Sequence, residues 1–121
     1  MPNKEKTLLI IDDEKDICDF EKAYFEKKGF KVFTAHTGET GINLAKSKKP
    51  DGVIIDVHLS KGISGIEALQ RIRLTQAKCQ CIMVTWDKEK AKEAKNLGAA
   101  GYIIKPNDIK ELEKIVRKVL K

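Results

Sequence analysis

Five short apolar runs punctuate the chain: TLLII at 7–11, KVFTA at 31–35, GVIID at 52–56, QCIMV at 80–84 and GYII at 101–104. The polar stretches between them carry apolar residues at helical spacing, so the pattern predicts five strand–helix units. Within the runs the apolar residues are consecutive rather than alternating, as expected where a strand meets protein on both faces. Strands of that kind belong in a parallel sheet with helices packed on each side.

The helices have their own punctuation. In the first, Ile17, Phe20 and Tyr24 recur at helical spacing and Gly29 provides the stop. Ser64-Gly65-Ile66-Glu67 has the form of a capping box at the start of the third. The fifth is predicted to begin after Pro106 with Asn107 as its cap, and Ile109, Leu112, Val116, Val119 and Leu120 make one apolar stripe that must dock on the sheet. No repeat, low-complexity tract or Gly/Ser linker interrupts the alternation. The fold expected is therefore α/β: a five-stranded parallel sheet in a doubly wound, three-layer αβα sandwich, with residues 1–121 as one domain. Sheets of this class hold ligands at the carboxyl ends of their strands, near the topological switch point.

Composition narrows the setting. With 121 residues, 41% hydrophobic and 35% charged, the chain has the make-up of a soluble globular domain and no apolar run long enough to cross a bilayer. The basic start, MPNK, precedes only the short run TLLII before acids intervene, so no signal peptide is expected and the cytoplasm is the expected compartment. Cys18, Cys79 and Cys81 have no metal-ligand spacing and read as small buried or half-buried residues in a reducing environment. The net charge of +6 comes from lysines interspersed with acids, as in DKEKAKEAK, which describes a solvated helix face rather than a nucleic-acid surface.

The chemistry is concentrated at the strand ends. Asp12, Asp13 and Glu14 follow the first strand, Asp56 ends the third, Thr85 follows the fourth and Lys105 follows the fifth. Carboxylates gathered on one rim of a sheet repel by on the order of a few kcal/mol at the effective dielectric of a protein surface, so the cluster calls for a cation. A hard divalent ion such as Mg²⁺ suits oxygen ligands and leaves room for a phosphoryl oxygen. A carboxylate so placed is a nucleophile toward phosphorus, with Lys105 to neutralise charge and Thr85 to donate a hydroxyl proton.

At these residues the sequence resembles the response-regulator receiver family of two-component signalling. The matching marks are IIDDE, the IID ending at Asp56 with SGIEAL after it, Thr85 behind an apolar strand, and LGAAGYIIKP. The resemblance implies a flavodoxin-like fold of receiver type and a Mg²⁺-dependent switch phosphorylated on Asp56. It further implies Asp13 and Asp56 as direct Mg²⁺ ligands, the His58 backbone carbonyl as a third, and Asp12 acting through water. Lys105 is then the phosphoryl-binding lysine, Thr85 the switch hydroxyl and Tyr102 the switch aromatic. The implied upstream partner is a sensor histidine kinase or phosphotransfer protein. Downstream it implies a protein target or fused output domain, reached through a changed surface of the fourth helix, fifth strand and fifth helix. Neither nucleic acid nor membrane is expected to bind this domain directly. It is expected to be a monomer or a phosphorylation-dependent dimer, and a phosphoacceptor rather than an enzyme.

Three features depart from the family pattern. Ser60 stands where a proline is usual, the loop holds one residue more before Gly65 than the commonest form, and Trp86 replaces a small residue. Trp86 has two readings, a lid over the site or a surface for a partner. The His58 side chain reads as a tuning or surface group, and Tyr102 also fits an ordinary half-buried edge aromatic. Two other functions compete: a receiver-like scaffold that takes no phosphate, and a flavodoxin-type cofactor enzyme. Against the second stand the DDE after the first strand, which repels phosphate, and the lack of a P-loop or GxGxxG.

Overall fold

The computed structural model describes residues 5–121, so the MPNK start lies outside the described residues. Five strands, β1 (Thr7–Ile11), β2 (Lys31–Ala35), β3 (Gly52–Asp56), β4 (Gln80–Thr85) and β5 (Gly101–Ile104), form one parallel sheet in the order β2-β1-β3-β4-β5. The helices are α1 (Lys15–Lys27), α2 (Gly38–Lys48), α3 (Gly65–Thr75), α4 (Lys88–Asn96) and α5 (Ile109–Val119). The doubly wound sandwich expected from the alternation is the fold observed. β1 sits between β2 and β3, so the chain reverses direction across the sheet there and the loops after β1 and β3 open as a crevice.

Successive residues of each strand feed two different cores. Leu9 and Ile11 of β1, Val53 and Ile55 of β3, and Cys81 and Met83 of β4 lie on one face with Ala45 of α2, Leu69 of α3 and Ala94 of α4. Leu8, Ile10, Ile54, Ile82 and Val84 lie on the other with Cys18 and Phe25 of α1 and Leu112 and Val116 of α5. Burial on both faces is why the strands read as unbroken apolar runs. Each buried Leu, Ile or Phe contributes about 1.5–3 kcal/mol of transfer free energy, so the central strands are the firmest part of the molecule. All three cysteines are buried and free.

Local details differ from the expectations in four places. α1 buries Cys18 and Phe25, whereas Phe20 is 57% exposed, because Ile17 and Phe20 flank a cavity while Tyr24 alone of the stripe packs against the core. The cap of α5 is Asp108, whose carboxylate accepts the Lys110 N–H at 2.9 Å, and not Asn107. A carboxylate is the better partner for a helix amino end. Only half of the capping box forms: the Ser64 hydroxyl accepts the Glu67 N–H at 3.1 Å, while the Glu67 carboxylate pairs with Arg71. β4 runs one residue further than its apolar run, so Thr85 ends the strand.

Gly65, at the head of α3, is pressed against the end of β3. A Cβ there would lie 2.2 Å from the Asp56 carbonyl oxygen and 2.7 Å from the Val57 Cα, and neither backbone atom can yield cheaply. Gly65→Ala is therefore expected to lower unfolding free energy by about 3 kcal/mol, the upper range for overpacking. Chemical denaturation with an unchanged m-value tests this, and a loss below about 0.5 kcal/mol would show that α3 can slide away.

Candidate functional site

The carboxyl ends of β1, β3, β4 and β5 bring five of the expected residues together. Asp12 and Asp56 are 5% and 6% exposed, and Asp13, beside them, is partly buried. One carboxylate oxygen from each of Asp12, Asp13 and Asp56 lies within 4.8 Å of the other two. Lys105 reaches across from the end of β5, its Nζ donating to Asp56 Oδ2 at 3.0 Å. Thr85, fully buried, ends the strand next to β3.

Backbone contacts set the geometry. The Asp12 N–H donates to the Ala35 carbonyl at 3.0 Å, Val57 N–H to Val84 at 3.0 Å, and Lys105 N–H to the Thr85 carbonyl at 2.8 Å. Each acid also accepts a backbone N–H from a loop at this rim. Asp12 Oδ1 accepts the Glu14 N–H and Asp56 Oδ1 the His58 N–H, both at 2.9 Å. Asp13 Oδ2 accepts the Ser60 N–H, also at 2.9 Å, so the longer β3–α3 loop closes over the acid cluster. That loop turns at Gly62, whose φ of 72° suits glycine, and Glu39 of α2 accepts the Ile63 N–H at 3.3 Å.

The electrostatics record the crowding. Burial, with the carboxylates of Asp56 and Asp13 adding to it, pushes Asp12 up to about 6 against the Glu14 N–H and Lys105. Hydrogen bonds from Ser60 hold Asp13 below its ordinary value. Burial acts to lower Lys105, but the hydrogen bond and charge of Asp56, with Asp12 and Glu14, outweigh it and raise the ammonium. The trio of oxygens, one acid held ionised and one straining toward protonation, has the donor chemistry of a hard divalent cation site.

Glu21 is the member that the sequence reading missed. It stands on α1 within the stripe of Ile17, Phe20 and Tyr24, and the signal was a charged residue on an otherwise apolar helical face. Burial and the Asp12 carboxylate push it up to about 7. It lines a cavity of about 450 Å³ together with Asp12, Asp56 and Lys105, walled by Ile17, Phe20, Trp86 and Ile109.

The remaining expected residues fall in two places. Trp86 is 65% exposed and lies on the cavity wall, its indole stacked on the His58 ring with centroids 4.7 Å apart and planes 15° apart. The His58 side chain turns inward to Thr85, Nε2 to Oγ1 at 3.0 Å. Tyr102, 40% exposed on β5, lines a separate cavity with Lys95, Ile115 and Lys118, and the structure does not bring it to the acids. Among the described residues no helix is long and apolar enough to cross a membrane.

The chain and its fold have counterparts in known proteins. The family model for the response regulator receiver domain matches residues 8–117. Sporulation initiation phosphotransferase F of Bacillus subtilis is 31% identical over 115 residues, covering 93% of this chain and 92% of that protein. The regulatory protein AtoC of Escherichia coli is 34% identical over 115 residues, which is 93% of this chain but 25% of its own length. A CheY-like response regulator receiver domain protein from Methanospirillum hungatei superposes with a TM-score of 0.91 at 28% identity, over 97% of this chain and 94% of that one. With five parallel strands wound as in these proteins, and a family match over nearly its whole length, the chain belongs to the receiver domain family of two-component response regulators.

Proposed function

We propose that the chain is a phosphorylation switch that accepts a phosphoryl group on Asp56 from a histidine kinase or phosphotransfer protein. The observation that carries this reading is the buried Asp56 carboxylate, paired with Lys105 at 3.0 Å on one side and crowded by Asp12 and Asp13 on the other. In the transfer, an Asp56 oxygen forms the new P–O bond as the donor's P–N bond breaks, and the donor imidazole nitrogen keeps the electron pair. Lys105 moves from the carboxylate to a phosphoryl oxygen and holds its charge. Thr85 donates its hydroxyl proton to a second oxygen. Phosphate labelling of the wild type beside Asp56→Asn tests the assignment.

The donor set fits Mg²⁺, which when bound neutralises charge on the acids and on the incoming phosphoryl group. Asp13, Asp56 and the His58 carbonyl would hold it directly and Asp12 through water. The chain itself is a phosphoacceptor on this reading, not an enzyme, and acts in the cytoplasm. Its downstream partner is a protein target or a fused output domain, addressed through α4, β5 and α5 with Tyr102 as the responding aromatic.

Protons compete with the cation. Asp12, at about 6, is protonated over a range where an ordinary carboxylate is not, so a cation must displace that proton. Mg²⁺ affinity should rise by up to about tenfold per pH unit below 6 and level off above it. In the metal-free protein the sign is opposite: a folded pKa above the unfolded value makes stability fall as pH rises from about 4 to 6. Calorimetric titration from pH 5 to 8 checks the affinity. A flat profile, or unchanged affinity in Asp13→Ala, would remove these acids from the cation site.

Trp86 stands on the wall of the cavity that leads to Asp56. Water hydrolysing an acyl phosphate and a small phosphodonor both approach along the line of the breaking bond. Trp86→Ala is expected to speed autophosphorylation by acetyl phosphate and dephosphorylation together, by about tenfold, or about 1.4 kcal/mol of barrier. Rates within about twofold of wild type, with weaker binding to a kinase or target, would make the indole a contact surface instead.

A further inference from the structure

We propose that the His58 side chain is a positioning residue that withholds the Thr85 hydroxyl from the phosphoacceptor until a phosphoryl oxygen outcompetes it. The proposal rests on the phosphoryl-switch reading of Asp56. It begins with hydrogen-bond bookkeeping at one oxygen. Thr85 Oγ1 accepts the Asp87 N–H at 3.0 Å, and His58 Nε2 lies 3.0 Å away. A hydroxyl has one proton to give and two lone pairs. Thr85 is fully buried, and among the described residues the acceptor within reach of that proton is His58 Nε2. Buried polar hydrogens find acceptors, so Thr85 donates to Nε2 and the imidazole carries its own proton on Nδ1.

The one proton that Thr85 has is thereby committed. To serve a phosphoryl oxygen on Asp56 it must leave His58, and the switch exchanges one hydrogen bond for another instead of gaining one outright. Two contacts hold the competitor in place. The His58 N–H is tied to Asp56 Oδ1 at 2.9 Å, which anchors the residue beside the acceptor. The ring is stacked on Trp86, the residue that follows Thr85, which fixes its plane so that Nε2 stays on the hydroxyl. Phosphorylation works directly on this assembly, because His58 joins the acceptor carboxylate to the switch hydroxyl through a single residue. The sequence separates His58 and Thr85 by 27 positions, and nothing in its local pattern reveals the contact.

The test is a double-mutant cycle read by calorimetric titration of beryllofluoride at saturating Mg²⁺. His58→Phe keeps an aromatic ring against Trp86 and removes the nitrogen. Freed of its competitor, Thr85 should bind the phosphoryl mimic about three- to tenfold more tightly. In a Thr85→Val background, with no hydroxyl to release, His58→Phe should change affinity by less than about twofold. His58→Ala serves as a second variant and should tighten binding in the same direction. A histidine that merely shapes the loop would move all backgrounds alike. Unchanged or weaker binding by both His58 variants, or equal tightening with and without Thr85, would overturn the proposal while leaving the switch intact. Wild-type protein that fails to bind the mimic at all would overturn the phosphoryl reading itself, and this inference with it.

Discussion

Asp56→Asn is expected to reduce phosphate incorporation to background, at least 100-fold below wild type, with either a histidine-phosphorylated donor or acetyl phosphate. The amide is nearly isosteric and keeps an oxygen to accept the His58 N–H, but it has no anionic oxygen to attack phosphorus. A drop of that size corresponds to about 2.7 kcal/mol or more of barrier. Misfolding cannot account for it, since the substitution removes a negative charge from a crowded acidic cluster and leaves the buried strand intact. Melting temperature should stay within a few degrees of wild type. Mass spectrometry of the labelled protein completes the test. Label retained on Asp56→Asn would place the acceptor elsewhere, and no label on the wild type with any donor would make the domain an interaction scaffold.

Lys105→Ala is expected to remove most of the stabilisation that beryllofluoride and Mg²⁺ confer. In the wild type, a mimic at about 100 times its dissociation constant adds about 2.7 kcal/mol to unfolding, a shift of several degrees for a domain of this size. The ammonium sits 3.0 Å from Asp56, 31% exposed, which makes its bond charge-assisted and only partly screened. Truncating it forfeits an interaction of about 1.5–3 kcal/mol, weakening the mimic by about ten- to 100-fold. The same concentration then yields about half of the shift or less. Metal-free Lys105→Ala should itself melt lower, because the acids lose the cation paired with Asp56. Equal shifts in wild type and variant, by thermal melts at matched ligand, would take the lysine out of the phosphoryl site.

How much of this was legible in the sequence follows from what each signal depends on. Strand bounds came from burial on both faces, which the runs record residue by residue, and four of the five match their apolar run end to end. Asp12, Asp13, Asp56, Thr85 and Lys105 were legible because topology alone puts strand ends on one rim. Helix faces were harder. Ile17, Phe20 and Tyr24 were read only as one helical stripe, yet Ile17 and Phe20 border a cavity while Tyr24 packs against the core, since periodicity identifies a face but not what lies opposite it. Glu21 was passed over for the same reason. The contacts of His58 with Thr85 and Trp86 depend on the path of an irregular loop, and Ser60, noted only as an absent proline, proved to supply the N–H that grips Asp13.

The backbone ties around the site also fix how fast it can answer. Asp12, Val57 and Lys105 are each stitched through their N–H groups to the neighbouring strand at 2.8–3.0 Å, so the frame that carries the acids and the lysine moves only when the sheet opens. What can change without opening the sheet is a set of side-chain torsions, each now held by a contact of its own: the Thr85 hydroxyl, the His58 ring, the Trp86 indole and the Lys105 ammonium. Rotamer changes take picoseconds to nanoseconds when unhindered, whereas collective shifts of helices and strands take microseconds to milliseconds. If the domain is the phosphoryl switch proposed above, the local reading of a phosphoryl group is complete long before the surface of α4 and β5 can rearrange. On that reading the clock of the response is set by the outer surface and by the lifetime of the phosphate, not by the side-chain torsions that sense it.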